Sequence, residues 1–152
     1  MAATTSDELD PHVRRLVYER FAEESRPPSP AEIAHELGAP PSEVDASLRR
    51  LADQHVLVLA GGGTSIWMAN PFSAVPTDFR VEIADRAWWG SCIWDSFGIV
   101  AMFGGTGIVR TWCHDCGDPL EVGVQDGELR GGEGVAHFAV PAARWWEDIG
   151  YT

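Results

Sequence analysis

DPHVRRLVYERFAEESRPPSPAEIAHELGAPPSEVDASLRRLADQHVLVLAGGGTSIWMA, residues 10–69, carries three helical repeats of apolar side chains followed by a hairpin pattern. Val13, Leu16, Val17 and Phe21 recur at helical spacing, with Asp10 placed as an N-cap and Pro11 in the first turn, which predicts a helix over about 11–24. SRPPSP breaks it. Ser29, Pro30 and Glu32 open a second short helix bearing Ile33, Ala34 and Leu37, closed by Gly38 as a C-cap. Ser42 is the expected cap of a third helix, about 42–54, with Val44, Leu48 and Leu51 on one face. VLVLA, a GGG turn and SIWMA then read as a hairpin. Three helices and a β-wing predict a winged helix-turn-helix-like domain over 10–69. Residues 1–9, polar and without periodicity, predict a disordered acidic tail.

Working outward, NPFSAVPT at 70–77 is an extended, proline-punctuated connector, because a residue before proline is pushed out of the α region. Beyond it, FRVEI, GIVRTW, LEVGV, ELRGG and GVAHFAV read as strands between Gly and Asp turns, interrupted by a helix-like segment at 88–102. The chain is therefore expected to be α+β, with a mostly β second half, 78–152, around one buried helix. Trp88, Trp89, Trp94, Phe97, Trp112, Trp145 and Trp146 crowd that half, and packing around the helix is favoured over ligand stacking.

The 152 residues, 45% hydrophobic and 22% charged, suffice to bury a core. A net charge of −12 argues against nucleic-acid or anionic-membrane partners. The first 70 residues alone hold six Arg against eleven Asp or Glu, and Glu43, Asp45 and Asp53 lie on the helix that would enter a DNA groove beside Arg49 and Arg50. A structural role for this domain is therefore preferred to DNA reading. With neither an apolar stretch of membrane-spanning length nor a signal-like N-terminus, the expected location is the cytoplasm, with thiols reduced.

All three cysteines fall within residues 92–116. In Cys92-Ile93-Trp94-Asp95 the spacing puts thiol and carboxylate on one face of a helical turn, as a nucleophile beside a proton donor or as a small buried Cys beside a capping Asp. Burial among Trp89, Trp94 and Phe97 would make the carboxyl hold its proton. Cys113-His114-Asp115-Cys116-Gly117 is a CxxC knuckle whose glycine suits a tight metal-gripping turn. One pair is half a tetrahedral site, so zinc is allowed without being indicated, and a soft metal remains open. His12, His35 and His55 receive no function, and His137 reads as a satisfied core histidine in a strand.

NPFSAVPTDFRVEI, WWGSCIWDSFGI, CHDCGDPLEV and HFAVPAARWWEDIGYT together resemble the alkylmercury lyases, over roughly residues 10–152. The strongest element is Cys92-x-x-Asp95 followed 21 residues on by Cys113. The resemblance implies that Cys92 is nucleophile and mercury ligand and that Asp95 delivers a proton to the departing carbon. It implies an organomercurial substrate, a hydrocarbon and bound Hg(II) as products, no required cofactor, and low-molecular-weight thiols as co-substrates. Cys113 matches a cysteine that is buried and structural in the family, and Cys116 has no counterpart in its best-known members. The family's second catalytic cysteine would fall at about Thr152, so the resemblance implies a 78–152 domain truncated at its C-terminus with a more open pocket and impaired activity, or Cys116 or Cys113 as substitute mercury ligand, or a sequence that continues past Thr152. The alternative expectation is a non-enzymatic module in which Cys92, Cys113 and Cys116 hold zinc or copper and the helical domain contacts another protein.

Overall fold

The computed structural model describes residues 8–131 and 134–150. Three helices open the chain: α1 (Asp10–Glu24), α2 (Pro30–Leu37) and α3 (Pro41–Asp53). Ser29 caps α2 as expected, accepting from the N–H of Glu32 while the Glu32 side chain accepts from the N–H of Ser29, and Gly38 ends it at φ +61°. The other two caps differ from expectation. Asp10 lies inside α1, behind Leu9, and Ser42 lies inside α3, behind Pro40, and neither N-cap residue makes a side-chain bond. Asp10 is instead drawn inward, where its carboxylate accepts from Ser47 Oγ at 2.6 Å and from Arg50 at 2.6 and 3.0 Å. Residues 1–7 of the expected tail lie outside the described residues, while Leu9 is buried.

Eight strands form one antiparallel sheet: β1 (Val58–Leu59), β2 (Ile66–Ala69), β3 (Phe72–Ser73), β4 (Arg80–Ile83), β5 (Arg86–Gly90), β6 (Gly107–Trp112), β7 (Pro119–Gln125) and β8 (Glu128–Arg130). Their spatial order is β1-β2-β3-β5-β4-β6-β7-β8. The hairpin of β1 and β2 thus joins the sheet of the second half, through β3, which forms inside the expected connector. Trp88 and Trp89, expected in the helical segment, are strand residues of β5, and helix α4 starts only at Ile93 and runs to Met102. The two bulky aromatics pair across the ladder with Val81 and Arg80, which suits β geometry better than a helix.

Alternation along the strands decides which face meets α4. Trp88, Val81 and Val109 form one cross-strand row and are all buried. The opposite face carries Arg110 between Glu82 and Glu121, in exposed ion pairs. From the helix side, Ser96, Ile99 and Val100 pack at i, i+3, i+4 spacing. The core runs on without a break into the first three helices: the rings of Phe21 and Phe72 stack at 5.2 Å, and Trp88 Nε1 donates to the Phe21 carbonyl at 2.7 Å.

GVAHFAV departs from its expected strand. Residues 134–140 form no strand with any of the described residues, Val135 is 91% exposed, and His137 is exposed rather than a core histidine. A 3-10 turn (Ala142–Glu147) follows and rests against the helical half, with Trp146 stacked on His55 at 4.0 Å and Gly150 so close to Trp67 that a Cβ there would lie 2.4 Å from the ring.

Candidate functional site

Cys92 is the N-cap of α4. Its backbone is extended, at φ −151°, and its sulfur accepts the N–H of Asp95 at 3.4 Å, the part a Ser or Asp side chain plays at most helix starts. The cysteine thiol also faces the Asp95 carboxylate, Sγ to Oδ2 at 3.5 Å. The i, i+3 spacing on one helical turn therefore does bring the expected pair together.

Three local features hold the turn in place. Ser96, fully buried, donates its hydroxyl to the Cys92 carbonyl at 2.8 Å, and its N–H bonds the same oxygen at 3.0 Å. Gly90, the last residue of β5, lets the helix start approach the strand: a Cβ there would stand 2.2 Å from Ser96 Oγ and 3.1 Å from its Cα and N. On the other side, Ser91 donates to the Asn70 side chain at 3.2 Å and through its N–H to the Pro71 carbonyl at 3.2 Å, while Tyr18 Oη donates to the Asn70 carbonyl at 3.0 Å. Gly90 was not singled out in the sequence, where it fell inside the expected helical segment at 88–102. Nor was the Tyr18–Asn70 link, since 52 residues separate the two.

Electrostatics at the pair follow from burial. Desolvation pushes the Cys92 thiol up to about 11, with the Asp95 charge adding to the rise and the N–H groups of Asp95 and Trp94 opposing it. Burial also raises Asp95, partly offset by its bond to the thiol. Tyr18 is raised by burial and by the charge of Asp95, against the pull of Arg14. The thiol therefore keeps its proton at neutral pH, with a carboxyl 3.5 Å away that can exchange protons with it.

The other two cysteines lie on a different element. Cys113 is half-buried and Cys116 exposed in the turn between β6 and β7, and no three His, Cys, Asp or Glu side chains among the described residues gather as a metal-holding group. Trp94, expected as part of an apolar wall over Asp95, is 68% exposed, because in α4 it points away from the Ser96, Ile99 and Val100 stripe. It lines a groove of about 590 Å³ together with Phe138, Val140, Pro141 and Trp145. Thr152, where the resemblance places a second catalytic cysteine, lies outside the described residues. Among the described residues no helix is long and apolar enough to cross a membrane.

The fold matches a solved structure, described as the mercury-bound form of MerB2, with a TM-score of 0.62 at 18% identity. The match covers 82% of this chain and 59% of that one, so the chain spans less than two thirds of its structural neighbour. No curated protein matches it. The family model of alkylmercury lyase (MerB), in contrast, matches residues 72–152, a span that contains β3, the capping Cys92, Asp95 and the whole knuckle. With more than half of its length matched, this chain belongs to the alkylmercury lyase family.

Proposed function

We propose that the chain cleaves the carbon–mercury bond of organomercurials at Cys92 and Asp95. The observation that carries this reading is the 3.5 Å approach of a desolvated thiol to a desolvated carboxyl on one helix turn. The substrate is taken as an organomercurial thiolate, R–Hg–SR′, formed with a low-molecular-weight thiol. Cys92 passes its proton to Asp95 as the Cys92 S–Hg bond forms. The Hg–C bond then breaks with its electron pair on carbon, and Asp95 returns the proton to that carbon. The products are R–H and Cys92–S–Hg–SR′, so protons and charge balance without an added cofactor. Soft thiolates suit the soft metal, and a general acid at hydrogen-bond range of the sulfur is at hand for the leaving carbon.

The helical half, read as a winged-helix-like domain over 10–69, serves the site as a scaffold in this account. Arg50, on the helix that would face DNA, is engaged by Asp10, and Asp45 accepts from Thr64 of the hairpin turn at 2.7 Å. Both contacts bind the helix to its own domain and leave an acidic surface, unsuited to phosphate. The binding step is tested by mass spectrometry of Cys113→Ser/Cys116→Ser protein with phenylmercury, where Cys92 is the one thiol left: an adduct is expected, and an equal adduct yield after adding Cys92→Ser would overturn the assignment.

A further inference from the structure

The CxxC knuckle is a built turn, separate from the Cys92 helix. Gly117 N–H donates to the Cys113 carbonyl and Cys113 N–H to the Asp118 carbonyl, both at 2.8 Å, and Gly117 takes φ +77°. The two bonds close residues 113–118 into one turn that carries both cysteines, and the backbone N–H groups of Cys116 and Asp115, with the Cys116 thiol, hold the Cys113 thiol below its usual range. Cys116 is exposed, with its sulfur 3.3 Å from Asp118 Oδ2. His114, the nearest nitrogen donor in sequence, is turned aside: its Nε2 meets Asp78 at 3.3 Å, and its ring stacks on Phe79 and Trp112 at 6.5 and 6.0 Å. Two thiols thus share one closed turn; the Asp118 carboxylate beside Cys116 is a hard oxygen donor, and no three His, Cys, Asp or Glu side chains among the described residues gather as a metal-holding group.

From this arrangement we infer that Cys113 and Cys116 form a second metal site, a two-thiolate clamp for a soft ion that accepts linear coordination, Hg(II) above all. A tetrahedral ion such as zinc needs four ligands, which the turn does not gather, whereas two sulfurs complete the demand of a two-coordinate ion. Binding forms two Hg–S bonds and releases to solvent the proton of each thiol that still carries one.

The clamp's place in the sheet gives it a task. β5 and β6 both run antiparallel to β4, which lies between them, so Gly90 and Trp112 end at the same edge of the sheet. Cys92 follows the first end by two residues and Cys113 follows the second by one. An ion released from Cys92 therefore has the clamp as its neighbouring acceptor. This hand-over rests on the organomercurial reading of Cys92; the clamp itself does not.

The test isolates the clamp in Cys92→Ser protein, loaded with mercuric chloride and dialysed against excess 2-mercaptoethanol. About one Hg(II) per chain is expected to remain, and adding Cys116→Ser or Cys113→Ser should cut retention at least about tenfold, because a chelating pair outcompetes single thiols only while both are present. Circular dichroism should show unchanged folding, since Cys116 is exposed. Retention that ignores both second substitutions overturns the clamp, as does equal retention of zinc against a chelator. Failure of the clamp with hydrocarbon release from phenylmercury intact in the unsubstituted chain would leave the Cys92 reading standing.

Discussion

The Cys92 sulfur bonds Asp95 twice, accepting its backbone N–H at 3.4 Å and facing its carboxylate at 3.5 Å. The cap of α4 and the proposed nucleophile and proton donor thus fall on the same two residues. The helix start fixes where the carboxyl stands, and the carboxylate in turn helps keep the thiol neutral at physiological pH.

That coupling predicts opposite responses to Asp95→Asn. Removing the carboxylate takes away a charge and a hydrogen bond that raise the thiol, so Cys92 should be alkylated by iodoacetamide at pH 8 at least about threefold faster, as a fraction of a pKa unit already implies. Hydrocarbon release should fall by about a hundredfold or more, the usual contribution of a general acid. Peptide mapping at Cys92 reads the first effect. Slower alkylation in the variant would show that the carboxylate activates the thiol instead.

The same substitution should raise the melting temperature at pH 7. Burial lifts the Asp95 pKa above its unfolded value, so the folded state carries a penalty once the group ionises and none below the unfolded pKa. The gain of Asp95→Asn should therefore fade as pH drops below the ordinary carboxylate range. Melting curves of both proteins at pH 3 and pH 7 check it; a gain equal at both pH values would rule out the burial penalty as its cause.

Gly90→Ala should damage stability and site together. Its Cβ would meet Ser96 Oγ at 2.2 Å and the Ser96 backbone at 3.1 Å, so the first turn of α4 must shift. Overpacking of this kind costs about 1–3 kcal/mol. Denaturant unfolding gives the stability, and loss of the phenylmercury adduct at Cys92, in folded protein that also carries Cys113→Ser and Cys116→Ser, reports the displacement of Cys92. Full adduct formation would mean that the turn tolerates the shift.

Arg50→Ala should destabilise the helical half by about 2 kcal/mol, because it leaves the buried Asp10 carboxylate short of a charged donor. Although burial works to raise Asp10, its bonds to Arg50 and Ser47 win and hold the carboxyl below its usual value. The stabilisation is therefore complete above the unfolded pKa and is lost as pH falls through the folded one. Urea titrations across pH 2–7 should show the difference between the two proteins narrowing at the acid end, and a constant difference would contradict the linkage.

Local patterns carried much of this structure in the sequence. The three helices, the hairpin and most strands follow from apolar spacing, and Cys92-x-x-Asp95 needed only helical periodicity to become a pair. What escaped depended on distant partners. Asp10 has the composition of a cap, yet Ser47 and Arg50, 37 and 40 residues away, pull it into the interior. Trp88 and Trp89 adjoin a helix, yet pairing with β4 claims them for a strand. GVAHFAV alternates like a strand, but alternation gives pairing only where a neighbour offers its edge, and His137 stays exposed as a result.

Headspace detection of benzene or methane reads carbon–mercury bond cleavage at Cys92 without an intermediate assay. Phenylmercury and methylmercury would be supplied with excess thiol to the unsubstituted chain, to Cys92→Ser and to Asp95→Asn. Hydrocarbon is expected from the first and at most background from Cys92→Ser, with Asp95→Asn binding the mercurial yet releasing little. Hydrocarbon release from Cys92→Ser at the rate of the unsubstituted chain would contradict cleavage at Cys92.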